Sequence, residues 1–70
     1  MKKYYDVHVF FSRKNGYSVP VEIETDEEFL TDDEVIEHCV KTNVLEQEDA
    51  DMVDSVAEID LNEYNDMKGV

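Results

Sequence analysis

The sequence predicts an α+β domain of the form β-β-α-β, with a three-stranded antiparallel sheet in the order 2-1-3 covered on one face by one helix. Three observations carry that expectation. Two neighbouring segments alternate apolar and polar residues, a capping box opens an apolar stripe at helical spacing, and a further alternating segment follows downstream.

The first strand is Tyr4 to Phe11, rich in aromatic and β-branched residues, with Tyr5, Val7, Val9 and Phe11 on one face. Its partner runs from Tyr17 to Glu24 and alternates more cleanly, with Tyr17, Val19, Val21 and Ile23 facing one way. Asn15-Gly16 between them is a hairpin signal, but a two-residue turn there would set Phe11 opposite Pro20 and break the alternation. A three-residue loop, Lys14-Asn15-Gly16 with Gly16 left-handed, is therefore expected, pairing Phe11 with Val19, Val9 with Val21 and Val7 with Ile23. Pro20 has no N–H to give a ladder, which makes the second strand an edge strand.

Thr31-Asp32-Asp33-Glu34 has the form of a capping box, so a helix should start there and bury Val35, Ile36, Cys39 and Val40 along one stripe before stopping near Asn43. Thr25-Asp26-Glu27-Glu28 is a rival start. Val44-Leu45 suits a turn, Glu48 to Met52 a short helical turn, and Val53 to Leu61 a third strand with Ser55, Ala57, Ile59 and Leu61 on one face. Residues 62–70 are expected either as a frayed tail or as a short helical turn. The helix then covers the odd-numbered side of the first two strands. On the open side this arrangement leaves Asp6, His8, Glu22, Glu24, Glu58 and Asp60, with Tyr4, Phe10 and Val56 among them.

Seventy residues support one domain, 1–70, and so short a chain buries only about 60% of its unfolded surface. The single cysteine excludes an intrachain disulfide and a thiolate metal cluster, which suits a reducing compartment. No apolar run approaches the roughly 18 residues of a membrane span, and Met1-Lys2-Lys3 leads into tyrosines rather than a signal-peptide core, so a cytoplasmic location is expected. The net charge is −13, and from Glu22 to Asp66 eighteen acids face one base, Lys41. Bare nucleic acid and anionic membranes are repelled by such a surface.

Nothing in the sequence marks an enzyme or calls for a cofactor. His8 and His38 fall on different elements, and no serine or cysteine has an evident catalytic companion. Cys39 lies in the apolar stripe, where a buried, inert thiol is expected. Asp49 and Asp51 could open a calcium loop, yet Val53 stands at its fifth position, Asp54 where the turn glycine belongs and Asp60 at the twelfth. A solvated acidic loop is the better reading. The isolated Gly16 and Gly69 make no phosphate cradle.

What remains is the acids. Alternate strand residues stand about 6.6 Å apart and helix neighbours about 5–6 Å apart, so these acids form a surface array of negative charge. Duplex nucleic acid is such an array too, and the array suits the basic groove of a nucleic-acid-binding protein. The binding candidates are Asp26, Glu27, Glu28, Asp32, Asp33, Glu34 and Glu37 around the helix start, then Glu48, Asp49, Asp51 and Asp54. Against this stands the ordinary explanation, to which the sequence alone gives the greater weight: excess acid keeps a small protein soluble and monomeric. A homodimer through a sheet edge, or through Tyr4, Phe10 and Val56, is a further alternative.

The order Tyr5 to Phe11, Tyr17 to Glu24, Asp33 to Val40, and Val44-Leu45 followed by Asp49 to Tyr64 resembles the small acidic DpnD/PcfM-like proteins of phages and conjugative elements of Gram-positive bacteria. The resemblance covers most of the chain and rests on element order, the acid-rich middle and the apolar positions. It implies a mobile-element context, in which proteins of this size and charge include inhibitors of restriction or CRISPR nucleases, and it carries over no catalytic or ligand residue.

Overall fold

In the computed structural model, which describes residues 1–12 and 15–69, the chain runs β1 (Lys2–Ser12), β2 (Asn15–Glu24), α1 (Asp32–Lys41), α2 (Gln47–Ala50), β3 (Val53–Ile59) and α3 (Leu61–Lys68). The strands form one antiparallel sheet in the order β2-β1-β3. β1 is thus paired along both edges, and Pro20 sits on the outer strand β2, where its missing N–H does not interrupt an interior ladder. Odd-numbered residues of β1 and β2 face α1. There Tyr5, Val7, Val9, Val21 and Ile23 join Val35 and Cys39 of α1 and Leu45 beyond it in the core, and Val7, Val9, Val35 and Cys39 are 0% exposed.

The capping box forms as its sequence implies. The Glu34 N–H donates to Thr31 Oγ1 at 3.2 Å, and the Thr31 N–H donates to Glu34 Oε1 at 3.0 Å. At Thr25 the rival start makes only a turn, in which the Glu27 N–H donates to Thr25 Oγ1 at 3.1 Å. The other end of α1 closes on Asn43, whose φ of 61° is left-handed. The Val44 N–H donates to the Cys39 carbonyl at 2.8 Å and the Asn43 N–H to the Val40 carbonyl at 3.2 Å, a Schellman arrangement that turns the chain so that Leu45 drops into the core.

Three sequence expectations need correction. First, the hairpin register differs by four residues: Val9 lies opposite Tyr17, Val7 opposite Val19 and Tyr5 opposite Val21, and Phe11 is the extra residue of an irregularity between Phe10 and Ser12. A shift of four keeps every side chain on its face, so apolar alternation could not choose between the two registers. Lys14 of the expected loop lies outside the described residues, while Asn15 and Gly16 belong to β2. Gly16 serves close approach rather than a left-handed turn, since a Cβ there would lie 2.9 Å from the Val9 carbonyl oxygen.

Second, β3 presents the opposite face. Glu58 lies opposite Tyr5 and Val56 opposite Val7, on the α1 side, while Ala57 and Ile59 turn the other way. The cause is a bulge that skips Asp54, pairing His8 with Ser55 but Val9 with Val53, so that Val53 and Val56 reach the core from positions three apart. Third, the second face is not left open. Of the two readings of residues 62–70, the helical one holds for Leu61–Lys68: Asp60 Oδ1 accepts from the Glu63 N–H at 2.8 Å, and Gly69 ends the helix at φ 76°. Its Tyr64 stacks on Tyr4 with ring centroids 4.8 Å apart, on the side of the sheet away from α1. Among the described residues no helix is long and apolar enough to cross a membrane.

Because the capping box supplies both hydrogen bonds at the start of α1, Thr31→Ala should lower unfolding free energy by about 1 kcal/mol. Urea unfolding should show a lower midpoint at unchanged m. An unchanged midpoint would mean that the box does not hold the helix start.

Candidate acidic interface

Most of the acids singled out from sequence are exposed. Asp26, Glu27 and Glu28 stand on the loop before α1, Asp32, Asp33 and Glu34 on its first turn, Glu37 one turn on, and Glu48, Asp51 and Asp54 along α2 and the start of β3. Asp49 is half-buried, and its Oδ2 accepts from the Tyr17 hydroxyl at 3.0 Å, fastening α2 to β2. Asp51 accepts from the Gln47 amide at 3.1 Å, and Glu34 is engaged in the cap. The loop acids and the α1 acids therefore share one region, while Asp49, Asp51 and Asp54 each turn to a separate neighbour. No group of three or more histidine, cysteine or acidic side chains is arranged to hold a metal ion among the described residues.

Cationic partners are few. Among the described residues, acids lie within 4.0 Å of a cationic or histidine nitrogen in four pairs: the amino terminus with Glu24, Lys2 with Glu22, Lys3 with Glu58, and His8 with Asp54. None of these involves the loop before α1 or α1 itself. Among the described residues Lys3 is the charged residue that is buried. It is 8% exposed on the α1 side of the sheet, its stem covered and its ammonium 3.6 Å from Glu58. Beside it Tyr5 has a buried hydroxyl without a hydrogen-bond partner, and burial, followed by the charges of Glu58 and Glu34, raises its pKa above 10.0.

Two hollows flank the outer side of α1. One, of about 260 Å³, lies between α1 and the end of β2, with the apolar side chains of Ile23 and Leu30 beneath and the carboxylates of Glu24, Glu34 and Glu37 around it. The other, of about 420 Å³, is bounded by Ile36 and Val40, by Asp33 and Glu37, and by Gln47. Lys41 borders both. Ile36 and Val40 were expected in the core stripe with Val35 and Cys39, but they are only half-buried, because the helix turns its Val35-Cys39 line to the sheet.

Sequence reasoning missed one grouping. His8 Nδ1 lies 3.2 Å from Ser18 Oγ across the β1–β2 ladder, and His8 Nε2 lies 4.0 Å from Asp54 Oδ1 across the β1–β3 ladder. Only the register brings these three together, and the sequence carries no spacing that marks them. The set has the residue types of a hydrolytic triad, yet 4.0 Å exceeds a hydrogen bond and neither hollow is lined by these side chains. Its one hydrogen bond joins His8 to Ser18, across β1 and β2. The apolar trio expected for a dimer also separates: Val56 turns to the core side, Tyr4 lies under Tyr64, and Phe10 is exposed.

Cys39 is free and fully buried, and burial raises its thiol pKa above 9.0. With the folded pKa raised, the stability from burying the neutral thiol is present in full below pH 9.0 and is lost as pH rises through the folded value. Native protein at pH 8 should therefore resist a thiol reagent that labels it within minutes in urea, and the thiol's contribution to the urea midpoint should be lost as pH rises above 9.0. Rapid labelling of the native state would contradict the packing of α1 on the sheet.

No protein-family model, curated protein or solved structure matches this chain.

Proposed function

We propose that this protein is a non-enzymatic acidic binding protein that engages the basic surface of a nucleic-acid-binding protein by presenting charge in place of a nucleic acid. The observation that carries the reading is charge per length. The molecule measures 35 × 25 × 18 Å and carries a net charge of −13. A duplex of the same long dimension carries about 20 phosphate charges, so the two densities agree within a factor of two. The acids of the 25–31 loop and α1 support the reading because they stand exposed and without cationic partners among the described residues. The resemblance to acidic mobile-element proteins fits an inhibitor of the anti-restriction or anti-CRISPR type acting inside a bacterial cell.

A second reading rests on a different observation. Phe10, Phe11 and Met52 are all exposed at the end of the sheet, where the Phe10 N–H donates to the Met52 carbonyl at 3.0 Å. A homodimer joined through these exposed apolar side chains would leave the acids to serve solubility alone.

Salt separates the two. Tagged protein passed over a lysate of a Gram-positive bacterium should retain a nucleic-acid-binding protein in dilute salt, release it as salt rises, and lose it to competing duplex DNA. Neutralising Asp26, Glu27, Glu28, Asp32 and Asp33 to their amides, with the cap residues kept, should abolish that retention while circular dichroism stays native. Retention of nothing, alongside a salt-insensitive dimer in sedimentation, would favour the apolar reading.

A further inference from the structure

We infer that the two hollows beside α1 are sockets for arginine side chains of the partner, so that α1's outer side is the docking surface. This inference rests on the acidic-binding reading above and makes it specific. A point charge needs only carboxylates in water, whereas an arginine buries a three-carbon stem and keeps its planar head at the surface. Each hollow offers both parts. Ile23 and Leu30 lie beneath one with Glu24, Glu34 and Glu37 around it, and Ile36 and Val40 bound the other with Asp33 and Glu37.

Two further observations favour a long cationic side chain over other occupants. Ile36 and Val40 are apolar positions that the fold leaves half-buried beside carboxylates, which is the surface an aliphatic stem would cover. Lys41, the only base between Glu22 and Asp66, borders both hollows, so the chain itself lays this class of side chain along them. The first hollow, about 260 Å³, is smaller than the roughly 300–1,000 Å³ of pockets that enclose a whole small molecule, whereas the second, about 420 Å³, lies within that range, so size speaks against such a ligand only at the first. Charge complementarity names the partner as a protein surface bearing at least two arginines, one on each side of the Glu37-Lys41 ridge.

The test uses the full chain labelled with nitrogen-15 and a hexa-arginine peptide, followed by NMR in about 0.15 M salt, where the Debye length is about 8 Å. Saturable shifts are expected at Leu30, Glu34 to Lys41 and Gln47. Glu37→Gln, which removes the carboxylate common to both hollows, and Val40→Ser, which removes apolar cover, should each weaken binding about fivefold or more, while Glu63→Gln on α3 should change it less than twofold. Lys41→Gln should tighten binding about threefold, a gain that misfolding cannot produce. Equal weakening by Glu37→Gln and Glu63→Gln, with shifts spread over all acidic surfaces, would overturn the sockets and leave the acidic-binding reading standing. Absence of any binding by the unaltered protein, in dilute salt as well, would overturn both.

Discussion

Double pairing of β1 is the constraint on which the other elements depend. Its ladder with β2 runs nearly the whole strand and its ladder with β3 runs from Tyr4 to Val9, so one segment sets the position of two others that do not pair with each other. Side-chain alternation along β1 then divides the molecule. Val7 and Val9 send 0% exposed side chains toward α1, while Tyr4 turns the other way to meet Tyr64 of α3. The core on the α1 side is small, built largely from valines with one isoleucine, one leucine, one tyrosine and one cysteine, as expected where the ratio of surface to volume is high. A chain of this size has little stability to spare, and each of its local devices matters in proportion: the capping box at Thr31, the left-handed Asn43 and the bulge at Asp54.

Charge is arranged around that core with a clear division of labour. Two lysines sit together on β1, where Lys2 and Lys3 answer Glu22 and Glu58 across the strands. The acids of the 25–37 region have no such answer among the described residues, and they gather where the chain is a loop or a helix start and the core makes no demand on side-chain type. Negative residues in the first turn of α1 interact favourably with its positive end, which offsets part of their mutual repulsion. Local helix electrostatics and a surface suited to a basic partner thus ask for the same residues, which is why the acid count by itself separates neither role.

How far the sequence could be read follows from the range of each interaction. The capping box is legible because both its hydrogen bonds join residues three apart, and the edge position of β2 is legible because a single Pro20 decides it. Strand faces are legible in β1 and β2 for the same local reason. Hairpin register is not, since a displacement of four preserves every face, and the observed register brings Gly16 where a Cβ would lie 2.9 Å from the Val9 carbonyl oxygen. In β3 the bulge at Asp54 converts a period of two into a spacing of three, so Val53 and Val56 looked like residues of opposite faces. The candidate acids other than the half-buried Asp49 were legible as exposed positions. The hollows between them were not, because Ile36 and Val40 share the helical spacing of buried residues and only the rotation of α1 on the sheet exposes them.

The central place of β1 has a consequence during synthesis. β1 leaves the ribosome before β2 and β3 and can close its hairpin with β2 at once, yet its other edge has no partner until Val53–Ile59 has also emerged, some thirty residues after β2 is complete. Through that interval a run from Tyr4 to Phe11, aromatic and β-branched with only Asp6 and His8 to interrupt it, offers open backbone groups to any neighbouring nascent chain. The acidic segment that follows arrives before β3 does, and like-charged chains on one polysome would then hold each other apart until the sheet is complete.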